Sequence, residues 1–261
     1  MESKTLETLL VDVADNGVVT VTMNRPQKKN AADAAMWREL RDVWTEISLD
    51  PHVRCVVMTG AGDAFCAGAD LGGGGSELNQ LQSMNMIHMV VQALYNITVP
   101  IIAKVNGVAV GAGMNMALAC DLIVASDQAR FSEIFARRGL TVDFGGTWIL
   151  PRLVGLHRAK ELAFFADIIS AKEAADMGLV NKVVPHEQLD AAVADWADRL
   201  AAGPPMALAM TKRLLTLNAS ADRPLALEGE GLAQTVNFYT DDTKEAVAAF
   251  LEKRDPEFRG R

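Results

Sequence analysis

Three features of this 261-residue chain point to an α/β core followed by an all-helical C-terminal region. Short apolar runs at 53–59, 101–105, 122–125 and 180–184 read as buried strands. Helical patterns separate them at unequal intervals, so no repeat of fixed period organises the chain. Beyond Pro185 every segment reads as helix. Strand-plus-helix alternation implies a sheet covered by helices, with a core over residues 1–200 and a helical region over 201–261 suited to oligomerisation or to covering a site.

In chain order, residues 8–24 (TLLVDVADNGVVTVTMN) contain two β-rich runs around Asp15-Asn16-Gly17, the signal of an antiparallel hairpin. From Asp33, a candidate N-cap, Trp37, Leu40, Trp44 and Ile47 recur three or four residues apart, as one buried face of a helix requires. RCVVMTG at 54–60 is a buried strand ending in glycine. The segment from about 76 to 98 is mostly helical and stops before Val99-Pro100, because proline disfavours helical geometry in its predecessor. IIAKVNG is a further strand, a helix runs from near Gly111 to Cys120, and DLIVAS is a strand again. HRAKELAFFAD and SAKEAADMG are helices, the second opened by a Ser170-to-Glu173 capping box, and GLVNKVV is one more short strand. Gly203-Pro204-Pro205, Asp222-Arg223-Pro224 and Asp241-Asp242 bound the last helices.

Hydrophobic residues make up 50% and charged residues 22% of the chain, the balance of an ordinary globular protein. A net charge of -8 disfavours wrapping nucleic acid or coating an anionic membrane, and leaves room for anionic small molecules where basic residues cluster. Cys55, Cys66 and Cys120 are an odd set without C-x-x-C spacing, so neither a disulfide framework nor a zinc site is suggested, and a cytoplasmic location is the default. The start MESKTLETLL lacks the pattern of a secretory signal. The apolar stretch 108–125 contains Asn115, Asp121 and glycines, so it reads as buried helix then buried strand and not as a membrane span.

Three segments have the composition for chemistry. After the strand ending near Thr59, the small residues Ala67, Gly68 and Ala69 allow a ligand to approach the backbone, and free N–H groups there would bind an anion or oxyanion. A tight connection packed for shape alone is the other reading. The glycine run Gly72 to Gly75 fits a flexible loop better than a phosphate cradle. The second segment, VNGVAVGAGMNMALACD at 105–121, again leads from a strand through glycine into a helix, with a free N–H expected near Ala112. A dinucleotide-binding reading, with Glu133 as the distant acid, fails because Met116 replaces the small residue that packs helix on strand.

The third segment places Asp143 between Val142 and Phe144, just before Gly145-Gly146. Apolar neighbours desolvate a carboxylate and raise its pKa, which suits a general base; capping the helix through Trp148 would compete for the same oxygens. His52, His88, His157 and His186 stand apart from each other and from cysteine, so no metal is implied. Cys66 fits an inert small hydrophobe better than a nucleophile. Arg25, Lys28 and Lys29 form a basic turn able to hold phosphates.

The combination resembles the crotonase (enoyl-CoA hydratase/isomerase) superfamily. The resemblance runs in family order through MNRPQKKNA, AFCAGADL, VNGVAVGAG and GLTVDFGGTWILPRLVG to the tail EAVAAFLEKRDPEFRGR. It implies a spiral of ββα turns with a helical C-terminal region, and assembly as a homotrimer or as a hexamer of two trimers. It also implies an acyl-CoA substrate, with coenzyme A entering only as part of the thioester and no separate cofactor. Ala67 and Ala112 would supply the two backbone donors to the thioester oxygen. Gly68, Ala69 and Gly111 would flank them, and Lys29, Ala31, Asp70 and Leu71 would contact the pantetheine and adenine. Phe250 and Lys253 match tail positions that reach the CoA of a neighbouring subunit.

By the same resemblance, the two glutamates that position water in hydratases are replaced here by Asn115 and Phe135. Asp143 stands where several isomerases of the superfamily keep their single acid/base. The F-x-x-x-F-x-x-x-G-L and D-x-G-G-T-W-x-L-P-R patterns resemble ring-epoxide isomerases of phenylacetyl-CoA degradation, with Val142 in place of the usual proline. The expectation is an acyl-CoA isomerase in which Asp143 moves a proton, Asn115 orients the acyl group, and Phe135, Phe144 and Trp148 keep the pocket dry. A weak hydratase and a non-catalytic acyl-CoA binder are the alternatives.

Overall fold

The computed structural model describes residues 1–72 and 79–261. Among these, seven strands form one sheet in the order β1 (Lys4–Thr5), β2 (Leu9–Val13), β3 (Val18–Met23), β4 (Cys55–Gly60), β6 (Ile101–Val105), β8 (Leu122–Ser126) and β11 (Lys182–Val184). A smaller sheet runs β10 (Ile169–Ser170), β9 (Arg130–Ser132), β7 (Val108–Val110) and β5 (Ala64–Cys66). The helices are α1 (Ala34–Leu49), α2 (Gln80–Tyr95), α3 (Ala112–Leu118), α4 (Gly146–Phe165), α5 (Ala171–Asp176), α6 (Leu189–Ala201), α7 (Pro205–Asn218), α8 (Arg223–Phe238) and α9 (Asp241–Glu252). Most of the glycine run read as a loop, Gly73 to Gly75, lies outside the described residues.

The hairpin expected at the start is present: β2 and β3 pair antiparallel from Leu9↔Met23 to Val13↔Val19, with Gly17 in the connecting turn at φ 82°. Every later pairing in the large sheet is parallel. Parallel neighbours need a crossover; the one from β3 to β4 runs through α1 alone, and each later one visits the small sheet before its helix. β4 leads to β5 and α2, β6 to β7 and α3, β8 to β9 and then α4. This repeated turn is the ββα spiral, and it brings the ends of β5 and β7 side by side.

The small sheet is where the sequence reading falls short. Strands of three residues, such as β7, are too short to show alternation. The predicted helix HRAKELAFFAD is the second half of α4, joined to the first across Gly155, whose φ of 75° and ψ of 160° break the helical path. Other local signals hold. The Asp33 side chain accepts the Met36 N–H at 3.0 Å, and α1 buries Trp37, Leu40, Trp44 and Ile47 together. Ser170 and Glu173 form the predicted capping box. At α9 the cap is Thr240, one residue before the predicted boundary.

Trp44, Phe65, Phe131 and Phe144 are fully buried, and α1 packs on α2 beside them. Each such side chain contributes roughly 1.5–3 kcal/mol of burial. On the other face, α6 lays Leu189, Val193 and Ala197 on Val57, Ile102 and Val124. Among the described residues no helix is long and apolar enough to cross a membrane.

Candidate active site

The site begins where β5 and β7, paired in parallel, both run out into small residues. A Cβ on Gly68, which has φ 89°, would sit 3.0 Å from the Val110 carbonyl oxygen and 3.6 Å from the Ala112 nitrogen. A Cβ on Gly113 would fall 2.2 Å from the Cys66 carbonyl oxygen. Glycine at both positions is what lets α3 begin directly against the residues after β5. Gly111 bends the chain into α3 at φ 56° and donates its N–H to Ser132 O at 2.9 Å. Ala112, the first helical residue, has no preceding turn to accept its N–H.

Ala67 does not fill the donor role expected of it. Its N–H donates to the Lys29 carbonyl at 2.9 Å. Two residues on, the Ala32 N–H donates to Gly68 O at 2.8 Å and the Asp70 N–H to Ala32 O at 2.9 Å, a parallel bridge that leaves the Ala69 N–H on the opposite side. Among the described residues the Ala69 N–H has no partner. Peptide groups alternate direction along an extended segment, so the free donor is Ala69, and composition alone could not choose between the two alanines.

Asp143 lies in the turn before α4. The N-cap of α4 is Gly145 and no side chain caps it, so the competing role for the Asp143 carboxyl is unfilled. Its Oδ1 is buried without a hydrogen-bond partner among the described residues. Burial pushes its pKa up to about 6, opposed by the nearby charge of His88. The turn is held by consecutive left-handed residues, Phe144 at φ 50° and Gly145 at φ 78°. For a bulky residue such a φ is costly, and Phe144 is kept there by burial against Trp37, ring centroids 5.7 Å apart.

Asn115 takes a different part from the one expected. Its Nδ2 donates to the Asp143 backbone oxygen at 3.0 Å and to Glu133 Oε2 at 3.3 Å, so both amide hydrogens are spent on the protein and none is free to orient an acyl group. Gly146 makes room for this amide, since a Cβ there would come 2.3 Å from Nδ2.

Glu133 is the residue that sequence reasoning missed. It is fully buried, and burial with the nearby Asp143 charge pushes its pKa up to about 8. Glu133 is still protonated when Asp143 ionises, so the repulsion between the two falls on Glu133. The available signal was an acid set in the apolar run F-S-E-I-F.

The remaining expected residues fall into three groups. Phe135 is buried and its ring lies 3.7 Å from where a Gly111 Cβ would stand, making it a wall of the β7–α3 junction. Lys29 and Leu71 are exposed beside the Ala69 strand, and Ala31 is buried with its carbonyl accepting from Arg25. Asp70 is committed to Arg25, Oδ2 to Nη2 at 3.0 Å, and this guanidinium holds its carboxyl below the usual range. Phe250 and Lys253 stand exposed at the end of α9, whose packing partner is α8. Trp148 turns toward α2, edge-on to Tyr95 at 5.9 Å and beneath Arg152 at 4.3 Å. Burial pushes the Cys66 thiol up to about 12, which agrees with an inert role.

Comparison with known proteins fits this architecture. The enoyl-CoA hydratase/isomerase family model matches residues 13–261. A protein described as a probable enoyl-CoA hydratase from Rhodobacter capsulatus is 41% identical over 94% of this chain and 95% of its own. The 1,2-epoxyphenylacetyl-CoA isomerase of Escherichia coli is 34% identical over 95% of this chain and 97% of its own. The crystal structure of an enoyl-CoA hydratase from Bacillus anthracis superposes with a TM-score of 0.92 at 34% identity, covering 98% of this chain and 100% of that one. A spiral of ββα turns, two small-residue junctions side by side and a match along nearly the whole length lead to one conclusion: the chain belongs to the enoyl-CoA hydratase/isomerase family.

Proposed function

We propose that this protein is an acyl-CoA isomerase that shifts a double bond, or rearranges a ring epoxide, through a thioester enolate with Asp143 as its acid/base. The observation that carries the reading is the Asp143 carboxyl, desolvated, uncapped and with a free oxygen, tied by Asn115 to the helix that begins at Ala112. The Ala69 and Ala112 N–H groups would hold the thioester oxygen, each contributing roughly 3 kcal/mol as charge develops there. Asp143 takes a proton from an acyl carbon, the bonding pair moves into the carbonyl as an enolate, and collapse of the enolate returns the proton from Asp143 to a different carbon. One base suffices because the same group takes and gives back the proton. Hydration is the second reading, favoured by the hydratase name of the Rhodobacter capsulatus relative.

Self-assembly belongs to the same reading. Leu225, Leu232, Val236, Phe250 and Leu251 stand exposed on α8 and α9, apolar side chains that association would bury. A homotrimer, alone or paired into a hexamer, would cover it and bring Phe250 and Lys253 to a neighbour's CoA. Sedimentation velocity of the full chain checks this, and a monomer at micromolar concentration would refute it.

The function is tested by incubating 3-hexenoyl-CoA with the protein in heavy water and reading products by mass spectrometry. Deuterated 2-enoyl product without gain of water is expected. A hydrated product as the main species would establish the second reading.

A further inference from the structure

Glu133 precedes the turn 134–138 and has no access to solvent, yet nothing in the proton-transfer scheme uses it. Its only hydrogen-bond donor among the described residues is Asn115 Nδ2, the same group that holds the Asp143 backbone. Three oxygens of this cluster, Glu133 Oε1, Asn115 Oδ1 and Asp143 Oδ1, are buried acceptors without a donor among the described residues. Buried acceptors left unpaired are costly. Once Asp143 has ionised, the proton the cluster still keeps for itself is that of a neutral Glu133.

We propose that Glu133 is a positioning residue for Asp143, coupled to it through the shared Asn115 amide, and that loss of its proton shuts the site down on the alkaline side. The inference rests on Asp143 as the acid/base. While neutral, Glu133 leaves the Asn115 amide free to hold the Asp143 turn and places no charge beneath the carboxylate. Once ionised, it sets a second negative charge in the cluster where the reaction must develop an enolate, and repulsion raises that barrier.

The surroundings leave little to oppose this charge. The α3 helix, AGMNMAL, and β7, VAV, carry no ionisable side chain. The turn following Glu133 carries Arg137 and Arg138, both exposed, with Arg137 engaged by Asp167 at 2.7 Å. His88 of α2 acts on Asp143 and Asp143 acts on Glu133. The pKa of about 8 at Glu133 agrees with a proton held at neutral pH and lost above it.

The test needs no substrate for its first arm. Protein labelled with carbon-13 at the Asp and Glu side-chain carboxyls is titrated by NMR, the two resonances being assigned by their loss in Glu133→Gln and Asp143→Asn. Glu133 is expected to titrate near pH 8 and Asp143 near pH 6, with a second inflection of Asp143 at the Glu133 midpoint that vanishes in Glu133→Gln. Titration of Glu133 below pH 6, or an Asp143 resonance indifferent to it, overturns the proposal. Should Glu133→Gln fail to fold, the second inflection in the wild type decides.

The second arm follows deuterium exchange into an acyl-CoA against pH. The wild-type rate is expected to fall about tenfold from pH 7 to pH 9, as a single ionisation near 8 requires, and that of Glu133→Gln less than about twofold. A tenfold fall kept by the variant overturns the proposal, as does loss of exchange at every pH in a folded Glu133→Gln, which would make Glu133 a catalytic residue. If the wild type exchanges no proton at any pH, the isomerase reading fails and the titration alone judges the coupling.

Discussion

The Asn115 side chain and the Asp143 backbone are joined by a 3.0 Å hydrogen bond. Asn115 lies three residues into the helix that begins at Ala112, so the turn carrying the proposed base is anchored to the helix that presents one proposed oxyanion donor. Where the resemblance predicts a glutamate acting on water, this chain has an amide acting on the protein. Removing it is expected to have two effects. Asn115→Ala leaves the Asp143 carbonyl and Glu133 without their donor, costing about 1–3 kcal/mol of stability by urea unfolding. Turnover should fall by about tenfold or more with KM little changed, because a base displaced by a fraction of an ångström loses its alignment. Unchanged turnover would show that the Asp143 turn holds itself.

Asp143→Asn separates chemistry from folding. Turnover is expected to drop about a thousandfold, within the range of general acid–base contributions, while acyl-CoA affinity by calorimetry stays within about twofold. Stability should move the other way. The folded-state pKa is raised from 3.8 to about 6, so the folded protein binds this proton more tightly than the unfolded chain does. The associated stability is present below pH 3.8 and is lost as pH rises through 6, at about 1.4 kcal/mol per unit across that window. At pH 7 the asparagine variant should therefore melt higher than the wild type, and at pH 4 the difference should close. A variant that melts lower at pH 7 would mean the carboxylate is held by favourable contacts and is not a desolvated base.

Activity should follow the same ionisation. A general base works as the carboxylate, so kcat/KM is expected to rise with pH up to about 6, falling about tenfold per unit below that value, and to level off just above it. A midpoint near 4 would indicate a solvated Asp143.

Gly146→Ala tests how tightly the Asn115 amide is confined. The added Cβ would stand 2.3 Å from Nδ2 and 2.6 Å from Oδ1, a clash that one of the two segments must relieve. The expected cost is about 1–3 kcal/mol of overpacking, with a fall in turnover resembling that of Asn115→Ala. Stability lost without turnover would place the adjustment in α4 and not at the amide.

Much of this site was legible as residue types, and little of it as directions. Asp143 stood out because apolar neighbours and a following Gly-Gly are local signals, and the structure leaves its carboxyl uncapped as a base requires. The resemblance points to Ala67 for the donor after β5, whereas the N–H free among the described residues is at Ala69, because the choice depends on a bridge to Ala32 that is thirty-odd residues distant in sequence. Glu133 is offered by the sequence only as the distant acid of a dinucleotide reading that fails at Met116. Its burial comes from α3 and the Asp143 turn closing over it, tertiary contacts with no periodic trace. The same holds for β5, β7 and β9, which exist because the spiral lays them side by side.

Arg25 supplies the last test, because it ties the first basic turn to the segment after β5. Its Nη2 lies 3.0 Å from Asp70 Oδ2 and 3.1 Å from Asp33 Oδ2, and its Nη1 donates to the Ala31 carbonyl. Arg25→Met keeps the aliphatic stem and removes every one of these bonds, leaving the Asp70 carboxylate with the Gly72 N–H, 3.1 Å from Oδ1, and no cation paired to it. Stability should fall by about 1–2 kcal/mol, since the pair is only partly buried. The kinetic signature should be a several-fold rise in KM for an acyl-CoA with kcat close to wild type, if Ala31, Asp70 and Leu71 contact the ligand's far end as the resemblance implies, since Asp143 stands on a different element. Asp70→Asn combined with Arg25→Met should cost less than the two single changes added together, as partners in one bond do. A fall in kcat at constant KM would instead mean that this tie sets the direction of the Ala69 N–H.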